Sequence, residues 1–396
     1  MLLLETDKLK PGMEAAAPVR HPQARDVELL LPGVRLETEM IRSLRRLGIT
    51  EVWVRWPDLD FLDAHVNHKV SKLRNDVYGQ LKHDFNAAQS MTVCVSQYVR
   101  YCELISALAI ELLADRQNGQ GVLASALFDG NRDLFDHSAN VCYLALTLSL
   151  RMEGYVIAER QRLGATAADN LTNLGVGAML HDVGKLQLPS TLTDHEPMEC
   201  EPSLAYREHP RRGCRMIHER VGATARCVVM HHHQRFDGTG FPDMSSVTRK
   251  RRSGPLSGRD IHVFPRIVAV CDAFDNLCHD GKGQPRPVVA ALHEIQSESL
   301  AGRFDPVVLR GLLRHVPPFG LGTQVTLSDR RVGAVISLDA AHPCRPTVRL
   351  LRKHKGHFLD VDLSQETDVW IAQAQGKNVE QWHYELSCEA KAAVGA

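Results

Sequence analysis

The sequence predicts a mainly α protein, in which a large helical region lies between a small α+β domain and a β-rich end. Three observations support this prediction. Residues 1–64 alternate between helix-like and strand-like patterns. Residues 65–115 contain no Pro and a single Gly, and the pattern of 122–316 is mostly helical. From 317 onwards, short runs rich in Val and Thr are bounded by Gly, Asp and Pro, which is typical of strands.

The small domain is expected over 1–64. Residues 38–47 have helical spacing, Gly48 ends that helix, and residues 50–55 alternate like a strand. Residues 65–121 predict a linker of one or two helices. The region 122–316 is predicted to carry the chemistry, and 317–396 to form a β-rich subdomain with a tail.

Composition describes an ordinary folded chain of two or three domains. The chain has 396 residues, of which 44% are apolar and 24% charged. Lys plus Arg and Asp plus Glu both number 47, so the net charge is zero and no overall field attracts nucleic acid or an acidic membrane. We therefore expect no DNA partner, and an anionic substrate has to be attracted by a local patch.

No targeting or membrane-spanning segment is expected from the sequence. No run approaches about 18 consecutive apolar residues, and the first residues lack the basic and apolar regions of a signal peptide. The 10 cysteines form no Cys-x-x-Cys pair, which favours reduced thiols in the cytoplasm. The unusual number is the 20 histidines, because His is the commonest metal ligand.

The segment 174–185 is the first candidate for chemistry. It predicts a buried helix that ends near Gly184, with His181 and Lys185 on one face and Asp182 beside them. His-Asp pairs also occur at 83–84 and 279–280, so the pair alone is weak evidence. A buried charge is costly without partners, and a hydrogen-bonded ion pair is the alternative to a metal site here.

Four further segments place His or Asp where a helix or a loop is predicted to face inward. His137 shares a helical stripe with core residues, and Asp133 lies one turn earlier. His209 precedes a proline suited to the first turn of a helix. The run His231–His233 is followed by a turn-rich loop, and Asp272 ends an apolar run, where a lone carboxylate is costly.

In this order, the segments resemble the HD-GYP branch of the HD phosphohydrolase superfamily. The resemblance spans about 122–316 and is carried by His-Asp-x-Gly-Lys at 181–185, His-Pro at 209–210 and His-His-x-x-x-Asp-Gly-x-Gly-Phe-Pro at 232–242. It implies an HD-type all-helical catalytic domain that hydrolyses cyclic di-GMP to pGpG in bacterial second-messenger signalling, with further cleavage to GMP left open. The start of the chain, at 9–13, resembles a small domain found ahead of such modules.

The resemblance also implies a role for each residue that matches the family's motifs. Asp182 would bridge two metal ions and Lys185 would neutralise a phosphate oxygen. Arg286 resembles the position of a phosphate-binding arginine of the family, and a solvated arginine without that role is an equally good interpretation. Arg211 and Arg235 would add positive charge that attracts the substrate. Two or three divalent ions are implied, with Fe or Mn favoured by His and carboxylate donors. The implied metal ligands are His137, His181, Asp182, His209, His232, His233 and Asp272, with Asp133 as a weaker candidate for a third ion.

The chain departs from the family pattern at three places. Phe241 stands where Tyr is expected, and Gln234 stands where Glu is usual. The insertion 245–259, with the basic run Arg249–Arg252, lengthens the following loop. We expect this basic run to be a solvated loop or to attract the dianionic substrate.

Two other functions stay open at this point. One is an HD phosphohydrolase that acts on another nucleotide, including a mixed GMP–AMP ring. The other is a non-catalytic sensor or interaction module, which Phe241, Gln234 and the basic loop favour and the intact ligand set disfavours. A homodimer or a signalling protein is a further candidate partner.

Overall fold

A computed structural model describes residues 1–21, 24–65, 67–86, 92–114, 133–160, 170–189, 203–217, 222–243, 254–280, 283–352 and 357–386. Within these ranges, helices dominate the middle of the chain and strands are confined to its two ends. The predicted mainly α class, with an α+β start and a β-rich end, is confirmed. The basic run Arg249–Arg252 lies outside the described residues.

The α-helices fall into two groups. The first helix belongs to the α+β domain, and the others surround the predicted metal ligands or support them. No single helix of the described ranges is long and apolar enough to cross a membrane, although the bent pair Leu134–Arg151 and Glu153–Glu159 passes that test jointly. The helices are α1 (Thr38–Arg46), α2 (His68–Asn86), α3 (Val95–Ala114), α4 (Leu134–Arg151), α5 (Glu153–Glu159), α6 (Thr172–Leu180), α7 (His209–Met216), α8 (Ala223–His231), α9 (Val263–Leu277), α10 (Val288–Glu294) and α11 (Pro306–His315).

The strands of the described residues form two small sheets and one larger sheet, all antiparallel. β1 pairs with β4, and β2 pairs with β3. The larger sheet has the order β10-β9-β5-β6-β7-β8. The strands are β1 (Leu2–Glu5), β2 (Val19–His21), β3 (Ala24–Leu30), β4 (Glu51–Val54), β5 (Gln324–Leu327), β6 (Val332–Ser337), β7 (Thr347–Leu350), β8 (Asp360–Asp362), β9 (Ile371–Ala374) and β10 (Lys377–Asn378).

The two ends of the chain share one hydrophobic core. Leu2 and Val52 from the α+β domain belong to the same buried cluster as Val325 and Val348 from the larger sheet. The backbone amide of Leu3 also donates to the carbonyl oxygen of residue 322 at 2.9 Å. The β-rich subdomain therefore packs on the start of the chain, because burying apolar surface from both is favourable.

A second hydrophobic core holds the helices together. Fully buried side chains such as Leu144 and Phe274 form its centre. α2 and α3, which lie in the region predicted as a linker, contribute Val77 and Leu108 to this core. α2 and α3 therefore pack as part of the helical unit.

The helix that precedes the His-Asp pair at 181–182 is shorter than predicted. α6 ends at Leu180, and a short 3-10 turn follows from Val183 to Gln187. Gly184 lies against α7, where a Cβ atom would overlap the carbonyl oxygen of His209. The turn thus lets the backbone approach α7 closely, and it brings Lys185 onto Asp182. An uninterrupted helix would have placed Lys185 below His181 instead.

Candidate metal centre

Buried His and Asp side chains from five segments converge inside the helical unit. The end of α6 contributes two of them, and the remainder come from α4, α7, α9 and the residues that follow α8. The side chains of His181, Asp182 and His209 are at most 1% exposed. The converging residues are His137, His181, Asp182, His209, His232, His233 and Asp272.

The donor atoms form two groups that share one aspartate. Within each group, the donor atoms lie within 4.8 Å of one another. We name the groups half-site A, which is His137, His181 and Asp182, and half-site B, which is Asp182, His209, His232 and His233.

The two carboxylate oxygens of Asp182 face different half-sites. Oδ1 lies 3.3 Å from Nε2 of His209 and 3.6 Å from Nε2 of His232. Oδ2 lies 3.4 Å from Nε2 of His181 and 3.6 Å from Nε2 of His137. This is the arrangement that a bridging carboxylate between two cations requires.

Asp272 adds a second carboxylate on the side of half-site A. Its Oδ1 lies 3.1 Å from Nε2 of His137 and 3.9 Å from Nε2 of His181. The amide of Asn276 donates to the same oxygen at 2.7 Å. The contact with two histidines of half-site A makes Asp272 a further candidate ligand there.

Hydrogen bonds on the far side of the rings fix the orientation of four histidines. Nδ1 of His181, His209 and His232 lies 2.7, 2.8 and 2.9 Å from the backbone carbonyl three residues earlier. Nδ1 of His137 lies 2.7 Å from Oδ2 of Asp275. In the neutral ring with Nδ1 donating, Nε2 carries the lone pair and points at the cluster, as it does in histidines that bind metals.

Two of the inward-facing nitrogens fit a bound cation well. Nε2 of His181 and Nε2 of His233 are buried and have no hydrogen-bond partner. Buried polar atoms normally have one. A donor set of imidazole nitrogens and carboxylate oxygens, without Cys, suits Fe or Mn and other divalent ions. The residues therefore fit divalent metal binding.

The protonation states also suit a metal site. Burial lowers the pKa of His181 and of His209 to about 4, so both are neutral near pH 7. Burial acts to raise the pKa of Asp182, but Lys185 and the neighbouring histidines hold it well below its ordinary value. The carboxylate of Asp182 is thus ionised and ready to coordinate a cation. Burial acts to lower the pKa of His137, yet Asp272 and Asp275 raise it to about 9, so a cation that binds Nε2 of His137 has to displace a proton from it.

Lys185 and Tyr206 form the cationic and aromatic rim of the cluster. Nζ of Lys185 donates to Oδ2 of Asp182 at 2.6 Å and lies 5.1 Å from the centre of the Tyr206 ring. The Tyr206 ring also contacts that of His209, with 4.8 Å between centroids. Burial raises the pKa of Tyr206 to about 12, so its hydroxyl stays protonated and can donate.

Asp133, the weaker candidate for a third ion, has other partners in the structure. It caps the N-terminus of α4: its Oδ1 accepts from the amide of Asp136 at 2.7 Å. Its Oδ2 accepts from the hydroxyl of Tyr78 at 3.2 Å. The structure does not bring Asp133 into either half-site.

The predicted substrate arginines also have protein partners. Arg286 pairs with Glu294 at 2.5 Å, and both side chains are partly exposed. Arg211 pairs with Glu208 at 2.8 Å. Arg235 donates to the hydroxyl of residue 239 at 3.4 Å. Surface ion pairs are weak and exchange readily, so a role in binding phosphate stays a prediction for each.

Four residues that contact the predicted ligands, directly or through one another, were not predicted from the sequence. Asp275 lies three residues after Asp272 on a buried helix, where a second costly carboxylate was a usable signal. Asn140 and Arg74, which connect to Asp275, gave no signal because they come from helices distant in sequence. Tyr206 lies in a short 3-10 turn, where no sequence pattern identifies an inward ring.

Two departures from the family pattern lie beside the cluster, and the contacts of one of them, Gln234, explain why an amide stands there. The Phe241 ring stacks on His233, with centroids 4.5 Å apart. The amide nitrogen of Gln234 donates to the carbonyl of Pro242 at 2.7 Å, and its oxygen accepts from the amide of Leu256 at 2.7 Å. An ionised Glu cannot donate the first of these bonds. Gln234 therefore fixes both sides of the loop that carries Phe241.

Two family models match the chain. A model described as "HD domain" matches residues 139–308, which contain every half-site residue except His137. Residues 139–308 therefore match an HD domain, and the HD domain expected from the sequence is confirmed. A model described as "KOW domain associated with HD domain" matches residues 324–380, which cover strands β5 to β10 that follow the HD domain.

Curated relatives resemble parts of this HD protein. A cyclic di-GMP phosphodiesterase of Pseudomonas aeruginosa is 28% identical over 222 residues, 54% of this chain and 47% of that protein. The 3'3'-cGAMP-specific phosphodiesterase 2 of Vibrio cholerae is 28% identical over 44% of this chain and 31% of its own length. A cyclic di-GMP phosphodiesterase of Thermotoga maritima is 30% identical over 36% of this chain and 37% of its own length. The chain thus spans less than half of each of these relatives.

Replacing Gln234 with Leu tests the role of its two backbone bonds. Gln234→Leu keeps the approximate volume but leaves a backbone amide and a carbonyl without partners. We expect the free energy of unfolding to fall by about 1–3 kcal/mol, measured by urea denaturation. Gln296→Leu is the control, because Gln296 also donates to a backbone carbonyl at 2.7 Å but is exposed, so water can replace its bond. Equal stability of Gln234→Leu and the parent would contradict this role.

Proposed function

We propose that the HD domain of this chain is a metal-dependent phosphodiesterase that hydrolyses a cyclic dinucleotide, with cyclic di-GMP as the substrate and pGpG as the first product. The observation that carries the proposal is the pair of half-sites that share Asp182. The names of the curated relatives support the substrate class. The relative that acts on 3'3'-cGAMP makes a mixed GMP–AMP ring the second candidate.

The proposed metal ligands are the residues of half-sites A and B together with Asp272. Divalent cations, when bound there, supply Lewis-acid chemistry that lowers the pKa of a water molecule and polarises a phosphate oxygen. Fe and Mn are the ions we propose, from the donor set of imidazoles and carboxylates. The ring orientations imposed by backbone carbonyls and by Asp275 keep the nitrogen lone pairs aimed at these positions.

The chain's own residues supply orientation and charge. Asp182 presents one oxygen to each half-site, so it fixes the position of one half-site relative to the other. Lys185 places its ammonium group beside Asp182, where it can stabilise negative charge on a phosphate oxygen. The site is largely buried, and low local polarity strengthens such electrostatic contacts. Arg286, Arg211 and Arg235 are proposed contacts for the remaining phosphate oxygens.

Replacing Asp182 tests the shared ligand. Asp182→Ala and the milder Asp182→Asn should lose metal and turnover of cyclic di-GMP together, because both half-sites lose their common oxygen donor. Metal analysis of the purified protein measures the bound metal, and chromatography of the products measures the turnover. Asp280→Ala is the matched control, since Asp280 belongs to another His-Asp pair but is exposed, and it should keep both properties. Full metal content and full turnover in both Asp182 variants would show that the site is misplaced.

Replacing Lys185 separates catalysis from metal binding. Lys185→Ala should keep its metal, because no metal donor is removed, and lower kcat by about 10²–10³-fold, the usual effect of losing one charge-stabilising donor. Lys185→Arg retains a positive charge and should recover part of the rate. Single-turnover kinetics beside metal analysis provides the measurement. Loss of metal in Lys185→Ala would instead make Lys185 a support for Asp182.

A further inference from the structure

A chain of buried polar contacts connects α2 to the metal centre. Nε of Arg74 donates to Oδ1 of Asn140 at 3.1 Å, and Nδ2 of Asn140 donates to Oδ1 of Asp275 at 2.9 Å. The other oxygen of Asp275 accepts from Nδ1 of His137 at 2.7 Å. Arg74 is 6% exposed, and Asn140 and Asp275 are each 1% exposed. The contacts therefore run through the interior from α2 to a residue of half-site A.

The charges along this route are compensated in pairs. The guanidinium of Arg74 also lies 3.3 Å from Oδ1 of Asp136, which is buried as well. The carboxylate of Asp275 is held by His137 and Asn140. Apolar side chains of similar volume are often as stable as a buried ion pair, or more so. Stability alone therefore explains poorly why charged groups occupy these positions.

α2 contacts the first turns of α4 at two points on one face. Arg74 and Tyr78 are four residues apart, so they share that face. Tyr78 donates to Asp133, the residue that caps α4, at 3.2 Å. His137 lies one turn after this cap, and its amide donates to the carbonyl of Asp133 at 3.1 Å. The position of α2 is thus coupled to the backbone as well as to the ring of His137.

His137 differs in this respect from three histidines of the cluster. His181, His209 and His232 are oriented by backbone carbonyls three residues earlier, within their own segments. The partner of His137 is a side chain 138 residues away in the sequence. The ring of His137 consequently depends on how α4, α9 and α2 pack together. The three hydrogen bonds described above join Arg74 to Asn140, Asn140 to Asp275, and Asp275 to His137. They reach half-site A without passing through His209, His232 or His233.

We propose that Arg74 is a positioning residue for half-site A, acting through Asn140 and Asp275 on the ring of His137. The inference rests on the proposed metal centre and deepens it. α2 precedes the matched HD domain, so the segment between the α+β domain and the HD domain controls metal occupancy of one half-site. Half-site B binds its ion independently of α2.

Titration of Mn(II) into the metal-free full chain tests this inference. Arg74→Met retains an unbranched side chain but removes the donors. We expect the parent to bind two ions as a spin-coupled pair in electron paramagnetic resonance. In Arg74→Met, the affinity of one ion should fall by about 10–100-fold, as for other residues that orient metal ligands. At one equivalent of Mn(II), this variant should give the signal of an isolated ion.

Two further variants separate positioning from a general loss of stability. Asn140→Leu interrupts the contacts without removing the charge of Arg74, and it should weaken the same single ion. Arg266→Met is the matched control, because Arg266 is a buried arginine of α9 that pairs with Glu159 and Asp305. The control should lower the thermal midpoint yet keep both ions and the coupled signal.

The possible results distinguish a failure of the role proposed for Arg74 from a failure of the proposed metal centre. Two ions bound with parental affinity in Arg74→Met would overturn the role of Arg74. Equal weakening of both ions, in that variant and in Arg266→Met alike, would also overturn it, because the effect would then be one of stability. A parent protein that binds no Mn(II) pair would overturn the proposed metal centre itself.

Discussion

The burial of one carboxylate, Asp182, is the constraint on which the rest of the site depends. Moving an ionised carboxylate into a protein interior costs several kcal/mol unless partners compensate it. Here the ammonium group of Lys185 lies 2.6 Å from one oxygen, and imidazoles surround both oxygens. A cation on each side would complete the compensation. The residues that surround Asp182 are therefore the same ones that a two-ion site needs.

The fold meets this constraint with short helices that end or begin at the ligands. α6 ends immediately before His181, and α7 begins at His209. Gly184 lets these two segments approach closely, because a Cβ atom there would overlap the backbone of His209. Gln234, which follows the ligands His232 and His233, hydrogen-bonds to the backbone of Pro242 and Leu256. Backbone geometry thus sets most ligand positions, and side chains from distant helices set that of His137.

Much of the site could be predicted from the sequence, because its ligands occur in short motifs with fixed spacing. All seven residues expected to be principal ligands come together in the structure, although their binding of metal stays a proposal. The end of α6 was predicted wrongly, since Gly184 suggests a later end while the chain leaves the helix after Leu180 and turns to meet α7. Asp133 was ambiguous, because an aspartate one turn before an inward His suits a helix cap as well as a ligand.

The supporting residues could not be predicted for a physical reason. Arg74 and Asn140 act through contacts between helices that are far apart in sequence, and no local spacing encodes such contacts; a second carboxylate on a buried helix was a signal for Asp275 alone. The mainly α class and the β-rich end followed from periodicity alone, and both are confirmed. The packing of the β-rich end on the first residues was not expected, because a shared core leaves no sequence pattern of its own.

The bridging role of Asp182 is tested most directly by anomalous X-ray diffraction from crystals of the full chain grown with Mn(II). Two anomalous peaks are predicted, one at each half-site and about 3.5–4 Å apart, as in other two-metal sites. One oxygen of Asp182 should contact each peak. A single peak, or two peaks that share no ligand at Asp182, would contradict the proposed centre.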